Sequence, residues 1–484
     1  MKKKLGYLLI TVICSVFSVQ CFSQNFLSKN KKSGADSQYK QVMEQLYDYI
    51  RDNYVEEVDP EVLYQGAIKG MLGTLDDPYS VYMDATEWRS LTDVTQGEFG
   101  GVGLSITKPA ESTPEKPAYV EVASPIDDSP GFKAGIQSGD LIIKIEDVDT
   151  STITMDEVLG MLRGTVGETV NVTIRRGKSY EFNCALVRAV IENPTVKYGI
   201  IDKTGYIKIS DFAAKTVMRV QEALDSFTKE GCTSLIIDLR YNGGGLLSTA
   251  VQLADKFIDS GIIVETKSRI SYENYVYSAT KARTVLQDMP VILLINGASA
   301  SASEILSGAL KDTKKAVLVG EKTYGKGSVQ VPAALLNNDG FKITVARYYS
   351  PSGANIDKRG IKPDCEVSLP EFKTESEEAY VALLDSGKIS DYVSSHPDMS
   401  ESQIASYAKE VKKSYNVDEV YIRKLIRNEC DKGKPARLYD LDFDSQLKEA
   451  LEILKDGRYE KLLKESRTLK ETELAETEKE KASE

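Results

Sequence analysis

Two short segments carry residue types that can do hydrolytic chemistry. Asn296-Gly297-Ala298-Ser299-Ala300-Ser301-Ala302-Ser303-Glu304 offers three alternating serines, and Thr323-Tyr324-Gly325-Lys326-Gly327-Ser328-Val329-Gln330 follows it closely. A serine hydroxyl attacks a carbonyl only when a neighbouring group takes its proton, and histidine is the usual acceptor. The chain contains one histidine. It is His396, in the polar stretch Ser394-Ser395-His396-Pro397-Asp398, and it reads as a solvated surface side chain. A serine nucleophile here therefore needs lysine as its base. Lysine can serve only when its ordinary pKa of about 10.4 falls by roughly 3 units, worth about 4 kcal/mol in favour of the neutral amine. Lys326 lies between two glycines just past the apolar run 316–320, where backbone can fold closely around it. The residue pattern alone does not choose among Ser299, Ser301 and Ser303.

Other chemistry for these segments fits less well. Gly320-Glu321-Lys322-Thr323-Tyr324-Gly325-Lys326-Gly327 approaches the phosphate-binding pattern GxxxxGK[ST], but Gly327 stands where a Mg²⁺-binding hydroxyl is needed. Nucleotide binding is excluded on that ground. A serine at the start of the helix predicted through Ile305, Leu306, Ala309 and Leu310 would have free N–H groups and a positive helix end beside it, which suits a developing oxyanion. The amide of Ala302 is one expected donor. The second is expected from the glycine turn Leu239-Arg240-Tyr241-Asn242-Gly243-Gly244-Gly245, at Gly243 or Gly244. Asp312 reads as the end of a surface helix without chemistry.

The elements that must hold these residues follow from periodicity. Residues 190–370 alternate apolar strand-like runs (204–209, 235–240, 291–295, 316–320 and 342–348) with helical stretches at 214–228, 246–257 and 303–311. Several runs are apolar on both faces, as strands covered by helices are. Before them, Tyr39, Val42, Met43, Leu46, Tyr47, Ile50 and Tyr54 recur at helical spacing, and Asp59-Pro60 opens a second helix that ends at Gly73. Beyond Glu371 the chain is helical and charged, with Leu447, Leu451 and Leu454 in one stripe that reads as core or dimer contact. The run 464–484 has almost no apolar residues and is expected to be disordered.

Between these regions lie glycine-rich β segments. Gly101-Val102-Gly103-Leu104, Ser129-Pro130-Gly131-Phe132-Lys133-Ala134-Gly135-Ile136 and Gly139-Asp140-Leu141-Ile142-Ile143, with a helical stretch 155–162 and a closing strand 170–175, resemble a PDZ domain. In such domains the loop matching Gly101, Val102, Gly103 and Leu104 offers backbone N–H groups to a peptide's C-terminal carboxylate while the peptide adds a strand to the sheet.

Bulk properties bound the rest. A chain of 484 residues is too long for one core and predicts several domains. Its net charge of −12 excludes nucleic acid as a partner, since phosphate binding needs a basic face. Met1-Lys2-Lys3-Lys4, an apolar run 5–17 and the small residues Cys21 and Ser23 form an export leader, too short to span a bilayer comfortably. Retention of an uncleaved leader as an anchor is the alternative. Cys184, Cys232, Cys365 and Cys430 are too scattered for a disulfide framework or a CxxC metal site and read as free thiols.

The Ser/Ala segment, the Thr-Tyr-Gly-Lys-Gly-Ser-Val-Gln segment, the Leu239–Gly245 turn, Tyr349-Ser350-Pro351-Ser352-Gly353 with Gly360-Ile361-Lys362-Pro363-Asp364, and Leu72-Gly73-Thr74-Leu75-Asp76-Asp77-Pro78-Tyr79-Ser80 together resemble the carboxyl-terminal processing proteases of peptidase family S41. The likeness covers 40–370. It implies Ser301 as nucleophile, Lys326 as base, Gln330 as the residue that positions the lysine, and Ala302 with Gly243 or Gly244 as the oxyanion hole, with no metal or organic cofactor. It also implies an α/β multidomain protein: a crotonase/ClpP-like protease core with a β-rich PDZ domain that gates activity and helical N- and C-terminal regions. Arg163, at the end of the PDZ helix, is the expected coupling residue.

The resulting organisation is a leader (1–23), a linker (24–38), an N-terminal helical region (39–86), a PDZ domain (87–178), the protease core (179–370), a C-terminal helical region (371–463) and a charged tail (464–484). The expected function is that of an exported, periplasmic or cell-envelope serine endopeptidase acting on proteins with free, apolar C-termini, with room for a homodimer and for membrane proximity. Two rivals are weaker. A catalytically dead PDZ scaffold would not need both Ser301 and Lys326, and an acyl-binding protein on the same core would not need a PDZ domain.

Overall fold

The computed structural model describes residues 34–484 apart from 110–111, 114–116, 127, 178, 193, 282–288, 369–373, 433–436 and 484. The leader, Cys21 and the linker up to residue 33 lie outside the described residues. Among those described, no helix is long and apolar enough to cross a membrane. The chain divides into two compact units: the residues up to Thr92 with Thr266–Asn274 and Ser328–Tyr348, and Asp93–Glu265 with Tyr275–Gly327 and Tyr349–Glu484.

The first unit begins with the two expected helices, Gly34–Asn53 and Pro60–Gly73. Asp59 caps the second, its carboxylate accepting the Glu61 N–H at 2.8 Å, and Pro60 fills the first position where no N–H is required. Their apolar stripe is not covered: Tyr39, Val42, Met43 and Leu46 are all exposed. In the same unit, strands Val81–Met83 and Ser328–Ala334 pair antiparallel with Gly340–Tyr349 from opposite sides. The run 342–348, expected among the strands of the α/β core, thus belongs to an antiparallel sheet instead. Its apolar composition is compatible with either setting, and the antiparallel pairings with Ser328–Ala334 and Val81–Met83 distinguish them.

The second unit holds the PDZ domain. Strands Leu104–Thr107, Val120–Pro125, Leu141–Ile145, Thr169–Arg176 and Tyr180–Val187 lie in that order. Val120, Val122, Ile142, Ile145 and Ile174 from this sheet close on Val158 and Leu162 of the helix Met155–Leu162. Each such buried aliphatic side chain contributes about 1.5–3 kcal/mol. Thr154 and Glu157 cap this helix reciprocally, with bonds of 2.7 Å from the Thr154 N–H and 3.2 Å from the Glu157 N–H. The sheet runs past the expected limit at 178 to include Tyr180–Val187.

The α/β layer in the same unit is a sheet of β1 (Val196–Ile201), β2 (Thr204–Ile209), β3 (Ser234–Asp238), β4 (Val291–Ile295), β5 (Val317–Gly320) and β6 (Cys365–Glu366), in sequential order. β1 and β2 pair antiparallel; every later pair is parallel. Helices α1 (Thr216–Lys229), α2 (Leu247–Ala254) and α3 (Ala302–Asp312) connect the strands. β3 and β4 are buried at every position, because side chains alternate between two covered faces.

One of those faces is covered from far along the chain. Leu447, Ala450 and Ile453 of α4 (Ser445–Asp456) pack with Tyr206, Ile236, Ile292 and Val317. The stripe seen at Leu447, Leu451 and Leu454 is therefore core, and the α/β layer draws on residues well past the expected limit at 370. The tail also differs from expectation. Leu469–Ser483 is a helix, α5, with Leu469 buried and ion pairs from Arg359 to Glu473 at 3.0 Å and from Lys362 to Glu476 at 2.5 Å. A segment with no apolar period is ordered here through charges and one leucine.

Candidate active site

In an open parallel sheet, functional loops gather beyond the carboxyl ends of the strands. Here β3 runs into the 239–245 turn, β4 into the 296–301 loop and β5 into the 321–326 loop. The two segments singled out by residue type therefore leave neighbouring strands on the same edge, alongside the glycine turn.

The three serines are not equivalent. Ser299 is fully buried; its Oγ donates to the Leu239 carbonyl at 2.8 Å and accepts the Asn296 N–H at 3.0 Å. Ser303 is fully buried too, and its Oγ donates to the Asn242 carbonyl at 2.9 Å. Both hydroxyls stitch the loop to the glycine turn, helped by the Ala300 N–H on the Asn242 carbonyl at 3.0 Å and the Tyr241 N–H on Asn296 Oδ1 at 3.0 Å. Ser301, between them, is partly exposed and takes the left-handed backbone angles φ 55°, ψ −113°. Such a conformation costs a non-glycine residue on the order of 1–3 kcal/mol and is found where surrounding structure holds a reacting side chain out of a regular element. Ala302 then opens α3, so its N–H belongs to the first turn and has no intrahelical partner.

Glu304 joins this loop to the lysine. Its carboxylate is almost fully buried and accepts four hydrogen bonds: from the Ser301 N–H at 2.9 Å, Thr323 Oγ1 at 2.6 Å, the Gly325 N–H at 2.7 Å and the Lys326 N–H at 2.8 Å. Ser301 and Lys326 donate to the same oxygen, Oε2, so their backbone nitrogens are no farther apart than those two bonds laid end to end. Burial pushes the Glu304 carboxyl up, against the pull of its donors. The lysine loop is backed from outside: the Lys358 N–H donates to the Gly325 carbonyl at 2.7 Å, and Thr323 and Ile361 exchange bonds of 3.1 Å and 2.7 Å.

On the other side of Ser301 the glycine turn approaches as closely as atoms allow. A Cβ on Gly244, whose φ is +114°, would stand 2.8 Å from Ser301 Cβ and 3.0 Å from the Ala302 nitrogen. The Gly244 N–H is committed to Asn242 Oδ1 at 2.9 Å. Gly243 faces open space, and its N–H makes no hydrogen bond among the described residues. Of the two expected donors in this turn, the Gly244 N–H is thus already bonded and the Gly243 N–H is not, while the missing Cβ of Gly244 gives Ser301 clearance.

Comparison with known proteins identifies the family. The sequence model of peptidase family S41 matches residues 203–367, that of a PDZ domain matches 121–176, and that of the activating protease CtpB N-terminal domain matches 12–87. A carboxy-terminal-processing protease of Bartonella bacilliformis is 35% identical over 400 residues, covering 81% of this chain and 89% of that protein. The chain belongs to peptidase family S41. The carboxy-terminal processing protease CtpA of Bacillus subtilis is 32% identical over 381 residues, covering 77% and 79% of the two chains. Among solved structures, a photosystem II D1 C-terminal processing protease is 28% identical and covers 68% of this chain and 94% of its own, with a TM-score of 0.41.

In this S41 serine endopeptidase the PDZ strand Leu104–Thr107 pairs with Val120–Pro125 on one side only and forms an edge of its sheet. Such an edge can accept a further strand. The loop before it is shaped by Gly103 at φ +70°, where a Cβ would fall 2.2 Å from that of Ser129. Val102 is in the PDZ core. Arg163, at the end of the PDZ helix, pairs with Asp93 at 3.0 Å and lies over the Phe99 ring, and Thr95, two residues on from Asp93, accepts the Ala214 N–H of the α/β layer at 3.1 Å.

Gln330 lies in the other unit, on the strand Ser328–Ala334, where its Nε2 donates to Ser328 Oγ at 2.8 Å and Thr344 Oγ1 at 3.1 Å. Asp312 binds the Ser352 and Leu469 N–H groups, a structural task. His396 is exposed and stacks on Tyr392, and the four cysteines are free thiols. Sequence reasoning gave Glu304 no role, although Ser301-x-x-Glu304 has the capping-box spacing that marks a carboxylate folding back on a helix start. Asn242, Asn296 and Thr323 were likewise missed.

Proposed function

We propose that this S41 endopeptidase processes the C-terminal ends of proteins with a Ser301–Lys326 dyad on a crotonase/ClpP-like core. Neutral Lys326 takes the proton of Ser301 Oγ as that oxygen attacks the scissile carbonyl carbon. The oxyanion is met by the N–H groups of Ala302 and Gly243, at the positive end of α3. The lysine then gives its proton to the leaving amine, the C–N bond breaks, and a serine ester remains. Water deprotonated by the same lysine attacks the ester, and collapse of the second tetrahedral adduct frees Ser301. Gln330 is assigned the orientation of the lysine amine. The observation that carries the dyad is the single Glu304 oxygen that takes the N–H of both Ser301 and Lys326 while Ser299 and Ser303 are tied to carbonyls.

The PDZ domain is assigned the substrate's free, apolar C-terminus, with the Gly101–Leu104 loop on the carboxylate and the open edge of Leu104–Thr107 beside the peptide. The Arg163–Asp93 pair, continued by Thr95 and Ala214, is a route by which an occupied PDZ domain opens the protease. A second copy of the chain is the proposed cover for the exposed stripe Tyr39, Val42, Met43 and Leu46. The leader directs export, and a copy that keeps it stays near the membrane.

The test is cleavage of an unfolded protein with an apolar C-terminus. Ser301→Ala and Lys326→Ala are expected to lose at least 10³-fold in kcat, in line with removal of a nucleophile or its base. The wild-type rate is expected to rise through an apparent pKa several units below that of free lysine. Full activity of Ser301→Ala overturns the reading.

A further inference from the structure

Arg240 follows β3 and opens the turn that carries Gly243, and all five of its guanidinium donors are used. Nε bonds Asp238 Oδ1 at 2.9 Å, and Nη2 bonds Asp238 Oδ2 at 2.6 Å and Asp444 Oδ2 at 2.6 Å. Nη1 bonds Asp444 Oδ1 at 2.7 Å and Gln446 Oε1 at 3.0 Å. The planar fork is thus clamped by a carboxylate on each side, an arrangement that fixes orientation as well as position. Asp444 is itself fixed: its Oδ1 accepts the Leu447 N–H at 2.9 Å and caps α4, whose apolar face is packed into the sheet. Gln446 is fully buried and donates to the Val367 carbonyl at 2.7 Å. We propose that Asp444, aided by Gln446, is a positioning residue for the oxyanion turn and acts through Arg240 to hold the Gly243 N–H where the oxyanion forms.

The charge balance excludes a direct electrostatic role. Asp238 and Asp444 neutralise Arg240, and Lys208 acts on the same Asp444 carboxylate, so the cluster has no net positive charge to offer a developing oxyanion. What the cluster can supply is geometry. The turn needs it: Tyr241 is held at φ 62°, and three consecutive glycines follow Asn242. Glycine backbone is the least restrained of any, so the donor is only as well placed as its anchors. An oxyanion donor works within about 2.7–3.1 Å of its target, and a misplacement of about 1 Å costs on the order of 10²-fold. Asp444 and Gln446 lie beyond residues 203–367, which match the S41 sequence model, so the clamp is built by the C-terminal region of this chain.

The inference rests on the Ser301–Lys326 reading, and its test separates the two. Full-length wild type, Asp444→Asn, Gln446→Ala and Ser301→Ala are compared in peptide cleavage. They are also compared in binding a peptide boronate, which forms a tetrahedral adduct on the nucleophile, and a product peptide with a free carboxylate. In Asp444→Asn an amide donor faces Nη2. We expect kcat to fall about 10-fold with KM within twofold, boronate affinity to fall by the same factor, and product-peptide affinity to stay unchanged. Gln446→Ala, which removes the weaker bond to Arg240 together with the bond to the Val367 carbonyl and leaves both carboxylates, is expected to show about a 3-fold effect in the same readouts and serves if Asp444→Asn does not fold. Loss of folded protein alone lowers the number of sites but not the dissociation constants. Unchanged kcat and boronate affinity in both variants, or equal weakening of boronate and product peptide, overturns the proposal. Cleavage by Ser301→Ala would instead overturn the dyad.

Discussion

The glycine turn on one side of Ser301 and the lysine loop on the other are fixed by opposite electrostatic means. The turn hangs from a cation, Arg240, gripped by two carboxylates. The lysine loop hangs from an anion, Glu304, gripped by three backbone N–H groups and one hydroxyl, with no cationic group among its four donors. Burial acts on both. For Asp444 burial alone would raise the carboxyl, but the hydrogen bonds and charge of Arg240 outweigh it and hold the group below its usual 3.8. For Glu304 the neutral donors do not outweigh burial, and the carboxyl is pushed above its usual 4.5. A buried carboxylate paired with a full charge is thus stabilised as an anion, whereas one surrounded by amides is held in place yet strained in charge.

The largest effect of disturbing this contrast is expected at Glu304. In Glu304→Gln one oxygen becomes an NH₂ group that faces N–H donors, so buried amides lose their acceptor at about 1–3 kcal/mol each. Cleavage should fall by about 10³-fold and urea denaturation should show a loss of roughly 3 kcal/mol. A variant within 10-fold of wild type would mean that the lysine loop does not depend on this carboxylate. Next comes the turn. Gly244→Ala drives a Cβ to 2.8 Å from Ser301 Cβ and is expected to lower kcat by about 10²-fold. Gly243→Ala meets open space, keeps its N–H, and should stay within about 3-fold of wild type. Equal losses in the two would remove the distinction between clearance and donor.

The smallest effect is the acid response of stability, read by chemical denaturation at a series of pH values. Asp444 has a depressed folded-state pKa, so its contribution is present above pH 3.8 and is lost as pH falls through the folded value. The stability gap between wild type and Asp444→Asn should therefore shrink in acid. Glu304 has a raised folded-state pKa, so its ionisation penalises the fold at neutral pH and that penalty lifts as pH falls toward 4.5. The gap between wild type and Glu304→Gln should therefore widen as pH falls through the raised folded value toward 4.5, at higher pH than the window in which the Asp444 gap shrinks. Parallel trends in the two variants would contradict the contrast.

The motifs themselves were legible. The resemblance to a PDZ domain, carried by its glycine-rich segments, implied the sheet and its helix at Met155–Leu162, and β2, β4 and α3 lie where apolar periodicity put them. What separates Ser301 from Ser299 and Ser303 was not legible, because their partners are the carbonyls of Leu239 and Asn242, sixty or so residues away. The Glu304 spacing could be read as a helix cap, but its second task depends on the lysine loop 22 residues later. Asp444 reaches Arg240 across 204 residues, and no local pattern announces such a contact. The same holds for α5, whose sequence has too few apolar residues to predict order and whose charges find Arg359 and Lys362 only in the folded chain.

The most direct test of the account is to identify the residue that carries the acyl group. Turnover of an activated peptide ester, quenched in acid and mapped by mass spectrometry, should leave the acyl mass on Ser301 in wild type and none in Ser301→Ala. An acyl group on Ser299 or Ser303, or one that persists in Ser301→Ala, would contradict it.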